Sequence, residues 1–135
     1  MSHYTVLQTR ITDAETLMEA LADVGFANVE IYKTPQPLVG WQGDLRANRA
    51  EVIIRREFLG SASNDIGFAR STDGRFEALI SDYDRSTYDE AWLGRLTQRY
   101  AYRLARKVLA SQDFTLAEEH MDDERKIHMT VRRVA

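Results

Sequence analysis

The chain contains no cysteine, only two prolines and seven glycines, and no apolar run long enough to cross a bilayer. Without a thiol there is no cysteine nucleophile, no iron–sulfur cluster, no cysteine-ligated zinc and no disulfide staple. The opening residues Met1 to Val6 lack both the basic stretch and the apolar run of a secretory signal. Nor is there an excess of one charge sign: 18 Lys+Arg against 21 Asp+Glu leave a net charge of −3. Such a chain does not bind phosphate backbones by bulk charge, so any basic patch must be local. None of the glycines forms the spaced loop that cradles a nucleotide phosphate; Gly40-Trp41-Gln42-Gly43 fits neither pattern and opens no helix.

What is present is the composition of one globular domain spanning residues 1–135, with 44% hydrophobic and 29% charged residues. A chain of this length buries roughly two-thirds of its unfolded surface, enough for a core without metal or cross-link.

His3 to Ile11, rich in Tyr, Thr, Val and Ile, predicts a strand. Thr12 with Glu15 fits a capping box, and Ala14, Leu17, Met18, Leu21 and Val24 recur at three- and four-residue steps before Gly25, predicting a helix over 13–24. Asn28 to Lys33 reads as a short strand, broken by Thr34-Pro35-Gln36-Pro37, after which the chain is irregular to Asn48. Glu51 to Leu59 resumes as a strand. Ile66 to Arg70 and Phe76 to Ser81 flank Asp73-Gly74 as a hairpin, and a three-residue loop puts Ile66, Phe68, Phe76, Ala78 and Ile80 on one face. Asp89 to Ala110 is the longest periodic segment, with Leu93, Leu96, Thr97, Tyr100, Ala101, Leu104 and Val108 on one stripe. Phe114 to Met121 and Arg125 to Val134 form a closing hairpin.

This order predicts an α+β fold: a two-layer sandwich of a mainly antiparallel sheet with two amphipathic helices on one face, ferredoxin-like or related in topology. The closing hairpin, paired so that Leu116 faces Met129 or Val131, would set His120 on the core side and His128 on the opposite side, too far apart to share a metal. The acidic run Glu118, Glu119, Asp122, Asp123 and Glu124 lacks the glycine of a calcium loop and reads as a solvated turn. Neither a metal, a cofactor nor a catalytic set is expected.

One pattern stands out. Arg95, Arg99 and Arg103 follow at four-residue spacing with Arg106 three further on, forming a ridge on the second helix away from the apolar stripe, bordered by Tyr102. Planar guanidinium forks suit phosphates or a partner's carboxylates. The second candidate is Trp41 with Gln42, in what reads as a long Pro/Gly loop.

Several strings together, Met1-Ser2-His3-Tyr4, Val39-Gly40-Trp41-Gln42-Gly43, Asp65-Ile66-Gly67-Phe68 and above all Thr97-Gln98-Arg99-Tyr100-Ala101-Tyr102, resemble a domain-of-unknown-function family that includes a hypothetical open-reading-frame product of algal plastids and cyanobacteria. They occur in family order over nearly the whole chain. The chain departs from the pattern in the Arg-rich Leu45 to Arg56 and in Gly60 to Asn64. The resemblance implies no reaction, substrate or cofactor.

The reading that follows is a non-enzymatic interaction or adaptor protein, contacting a protein partner through Arg95, Arg99, Tyr102, Arg103, Arg106 and the Trp41–Gln42 loop. It would be cytoplasmic, or stromal if from an alga. Two alternatives stand beside it: single-stranded nucleic-acid binding, which the net charge disfavours, and a ligand-binding or enzymatic pocket near the Trp loop using Asp65 and Gln42. Membrane association is not expected, and self-association is left open.

Overall fold

The computed structural model describes residues 3–112 and the backbone of two further strands, Phe114–Met121 and Ile127–Arg133. Its elements are β1 (Tyr4–Gln8), α1 (Ala14–Asp23), β2 (Val29–Val39), β3 (Leu45–Ile54), β4 (Ile66–Arg70), β5 (Phe76–Ser81), α2 (Glu90–Ser111), β6 (Phe114–Met121) and β7 (Ile127–Arg133). Five strands form one sheet in the order β1-β5-β4-β3-β2, every neighbour antiparallel, while β6 and β7 pair separately. Both helices cover the same face, giving the expected α+β sandwich.

Helix α1 begins one residue later than the capping-box reading placed it. The cap is Asp13, whose carboxylate accepts the Thr16 N–H at 2.9 Å. Thr12 does not cap; its backbone N–H and that of Asp13 both donate to the Tyr100 hydroxyl, at 3.1 and 3.0 Å. A side chain from α2 thus holds the chain where it enters α1, at the cap and the residue before it. The other end stops where expected, at Gly25 with φ +109°.

Strand β2 runs straight through Pro35 and Pro37, contrary to the predicted break. It lies at the sheet edge, where a missing N–H costs no ladder bond. From the pair Ile31–Val52 to the pair Gln36–Ala50, β2 advances five residues against two on β3, so the excess is taken up as a bulge on the edge strand. The irregular stretch to Asn48 shrinks to a tight turn, in which Gly40 N–H donates to Asp44 C=O and Gly43 N–H to Gly40 C=O, both at 2.8 Å. The third strand starts at Leu45, not Glu51, and ends at Ile54.

The Asp73-Gly74 hairpin follows the three-residue expectation. Ser71 N–H donates to Arg75 C=O at 2.8 Å with Thr72, Asp73 and Gly74 between them. Ile66, Phe68, Phe76, Ala78 and Ile80 are all fully buried under the helices. Helix α2 starts on its Asp89 cap, whose carboxylate accepts the Trp92 N–H at 2.9 Å. The predicted stripe is only partly right: Leu96 and Tyr100 are buried, but Ala101 is exposed and Val108 is 46% exposed. Trp92 takes their place in the core, edge-on to Phe26 and Tyr88 at 6.2 and 5.2 Å between ring centroids.

In the closing hairpin the register shifts between Leu116 and Glu118, so His120 pairs with His128. The expected segregation of the two histidines to opposite faces therefore fails, because one bulge changes the parity of the ladder beyond it. The acidic residues Asp122, Asp123 and Glu124 lie outside the described residues.

On the sheet's other face Leu38, Ala50, Ile53 and Leu79 form a small second core. Gly67 sits beneath it: a Cβ there would lie 2.7 Å from Ala50 Cβ and 2.9 Å from Leu38 Cδ2. Gly67→Ala is expected to cost about 1–3 kcal/mol by overpacking. Gly94, mid-helix with open space around it, should instead gain about 0.5–1 kcal/mol as alanine. Urea denaturation midpoints at unchanged slope check both.

Candidate interaction site

The arginine ridge forms where α2 crosses α1. Arg103 grips Asp23 with a two-pronged fork, Nε to Oδ2 at 2.6 Å and Nη2 to Oδ1 at 2.7 Å. Arg99 Nε joins the same carboxylate at 3.2 Å. One turn on, Lys107 Nζ reaches Glu19 at 2.6 Å and donates to the Thr16 hydroxyl at 2.9 Å. Two of the four ridge arginines are therefore committed to the helix pair rather than held free for a partner.

Tyr102 was expected to border the ridge in solvent; it is only 8% exposed. The Arg99 and Arg106 guanidinium carbons lie 4.7 and 5.7 Å from its ring centroid, and Arg106 Nη1 donates to its hydroxyl at 3.2 Å. Together with Lys107 and Ala110, these residues line a groove of about 540 Å³. Arg95 is exposed on the same helix. Among the described residues no carboxylate lies within ion-pair distance of Arg95 or Arg106.

The charges tune one another. The hydrogen bond from Arg103, joined by Arg99, holds the Asp23 carboxyl below its ordinary range against the opposing effect of burial. Asp23 raises Arg103 in turn, and Glu19 raises Lys107, so the cations stay charged at any ordinary pH. Sequence spacing found the arginines but not Lys107, nor Asp23, which is 80 residues away from Arg103.

Trp41 and Gln42 occupy the exposed tip of the β2–β3 turn, Trp41 being 48% exposed. The Trp41 N–H donates to Asn64 Oδ1 at 3.0 Å, fixing the tip against the loop before β4. Asp65, expected as a free polar group near this loop, is instead wholly buried. It accepts from Val39 N–H at 2.7 Å, Arg56 N–H at 2.7 Å and Arg55 Nη1 at 2.8 Å, and its backbone carbonyl accepts the Tyr4 hydroxyl at 2.6 Å. Burial, then the Asp65 charge, push the Tyr4 phenol well above its usual value. Arg55 is raised too, its bonds to Asp65 and Glu30 outweighing burial. Among the described residues no group of three or more His, Asp or Glu gathers as a metal site.

Comparison with known proteins places the chain. A family model described as "Protein of unknown function (DUF1257)" matches residues 20–130, and the chain belongs to that family. It is similar to the "Uncharacterized protein ycf35" of Cyanophora paradoxa, 26% identical over 134 residues covering 98% of each chain. The like-named protein of Pyropia yezoensis is 26% identical over 144 residues, again 98% of each. No solved structure matches. No described helix is long and apolar enough to cross a membrane.

Two carboxylates with different duties give contrasting expectations. Asp65→Asn, which removes the charge facing a largely buried Arg55, should cost about 3–5 kcal/mol. Asp23→Ala, at a partly exposed pair, should cost about 1 kcal/mol or less. Because the folded Asp23 titrates below the unfolded group, its contribution is full above about pH 4 and disappears as pH falls through the lowered folded value. The stability difference between wild type and Asp23→Ala, followed by denaturation from neutral pH downward, should shrink only over that acid range.

Proposed function

We propose that the protein is a non-enzymatic adaptor that takes an acidic segment of a partner protein into the groove beside Tyr102, with the Trp41–Gln42 turn as a second contact. The compartment proposed is the cytoplasm, or the plastid stroma in an alga. The observation that carries this reading is an imbalance: Arg99, Arg103, Arg106 and Lys107 line one groove, and Asp23 and Glu19 answer them there. Arg106 keeps donors to spare over a shielded ring, an arrangement suited to a carboxylate. Arg, Tyr and Trp are also the side chains that most often anchor protein interfaces.

Asp23 then acts as an internal stand-in for the partner's carboxylate, which supplies the test. A fluorescein-labelled glutamate-rich peptide titrated at low salt should bind Asp23→Asn more tightly than wild type, because two guanidiniums are released. It should bind Arg106→Ala about tenfold more weakly, a loss of about 1.4 kcal/mol. Binding that ignores both substitutions would rule the reading out. Trp41→Ala, at an exposed tip, should alter stability by no more than about 0.5 kcal/mol.

A further inference from the structure

The two edges of the five-stranded sheet are built differently. Strand β2, at one edge, carries Lys33, Pro35, Pro37 and a bulge, the features that keep an edge from pairing with another chain. Strand β1, at the other, reads Tyr-Thr-Val-Leu-Gln over residues 4–8, with no charge, no proline and a register against β5 that never shifts. Val6 at its centre is 49% exposed.

Ladder parity decides where the backbone groups of β1 point. Asp82 N–H donates to His3 C=O at 2.8 Å, one pair beyond Tyr4–Ser81, and Phe76 N–H donates to the same side of β5, to Ile11 C=O at 2.7 Å. Bonded and non-bonded pairs alternate along an antiparallel ladder, so Thr5–Ile80 and Leu7–Ala78 are bonded pairs. The N–H and C=O groups of Tyr4, Val6 and Gln8 are therefore turned to the open edge. That set maps onto itself under a twofold axis at Val6. A second β1 laid antiparallel sets Val6 against Val6 and Tyr4 against Gln8, and each such pair exchanges two hydrogen bonds. No like charges meet, because the strand has none.

An axis normal to the sheet keeps the helices of both copies on one face, and there α2 has a surface the sheet leaves uncovered. Thr97, Ala101, Leu104, Ala105, Val108 and Leu109 line an apolar groove of about 550 Å³. Arg99, Arg103 and Lys107 mark the flank of α2 that meets α1. At about 100° per residue, Ala101, Ala105 and Val108 lie about 140–160° round the helix from Arg103. Arg10, two residues beyond the end of β1, stands at the rim of the groove, so the groove opens on the β1 side. The axis that joins the strands thus also turns the two grooves toward each other, and the small Ala101 and Ala105 let helix approach helix closely. We propose that the protein forms a twofold dimer in which β1 pairs with β1 of a second copy, making one continuous sheet, while the apolar flanks of the two α2 helices cover each other. Arg99, Arg103 and Arg106 stay on the far flank, outside this interface.

Sedimentation over a dilution series should give twice the 15.5 kDa of the chain at the concentrated end. Val6→Lys on the strand and Val108→Glu in the groove, both at exposed positions, should each weaken the dimer by about tenfold or more. Ile31→Lys, at an exposed apolar position of the other edge strand, should leave it unchanged. A wild type that stays monomeric throughout, or a dimer that either of the first two substitutions leaves intact, overturns the proposal. Amide exchange supplies a readout that a general loss of fold would not mimic. In Val108→Glu the amides of Tyr4, Val6 and Gln8 should exchange about tenfold or more faster than in wild type, and those of Gly67 and Leu79, inside the sheet, at the wild-type rate. Equal rates at the three edge amides overturn the proposal as well.

Discussion

Two adjacent side chains, Asn64 and Asp65, hold together segments that share no sequence neighbourhood. The Asp65 carboxylate takes the N–H groups ending β2 and following β3 together with the Arg55 guanidinium, and its main chain binds Val39 and Tyr4. Asn64 donates its N–H to Asp84 at 3.0 Å and its amide to the Ser81 hydroxyl at 3.0 Å, while accepting from Trp41. Strands β1, β2, β3 and β5, the Trp41 turn and the short 3-10 turn leading to α2 thus converge on one dipeptide. A buried carboxylate is tolerable only when its lone pairs are met by donors and a cation. Here that requirement fixes the edge strand and the turn at its tip more firmly than a Pro-bearing strand could fix itself.

The helix layer obeys a parallel rule. Helix α1 is ten residues long, short enough to be unstable alone, and it is held at both ends by α2. Tyr100 takes the amides of Thr12 and of the cap residue Asp13 just ahead of its first turn, and Arg99 and Arg103 neutralise Asp23 in its last turn. The ridge arginines are consequently not decoration added to a finished fold. They clamp the helices, and the surplus charge of Arg106 and Arg95 is what remains available beyond the clamp.

The pattern-bearing parts of this arrangement were legible in the sequence. Helix α2 followed from its period, the hairpin face from the parity of its apolar residues about Asp73-Gly74, and the stop of α1 from Gly25. What failed depends on distant partners. The passage of β2 through Pro35 and Pro37 requires knowing that it is an edge strand, which is a property of strand order. The exchange of Val108 for Trp92 in the core follows from where the sheet ends under a 22-residue helix, and no local window contains that length. Asp23 was invisible as an arginine partner because helical spacing relates neighbours within one helix, whereas the clamp joins two. A single bulge in the closing hairpin reversed the histidine placement, since ladder parity carries no memory across an inserted residue.

A net charge of −3 and a basic groove are compatible once distance is considered. At physiological salt, charges farther apart than about 8 Å are largely screened, so an approaching carboxylate responds to the guanidiniums beside Tyr102 and hardly to the acids elsewhere on the surface. Those acids still act at longer range when salt is low, repelling polyanions as a whole. The combination favours a ligand whose negative charge is concentrated in a short segment over one that carries it along its full length. That distinction separates an acidic stretch of protein from a nucleic acid strand, and it comes from the placement of charge rather than from its total.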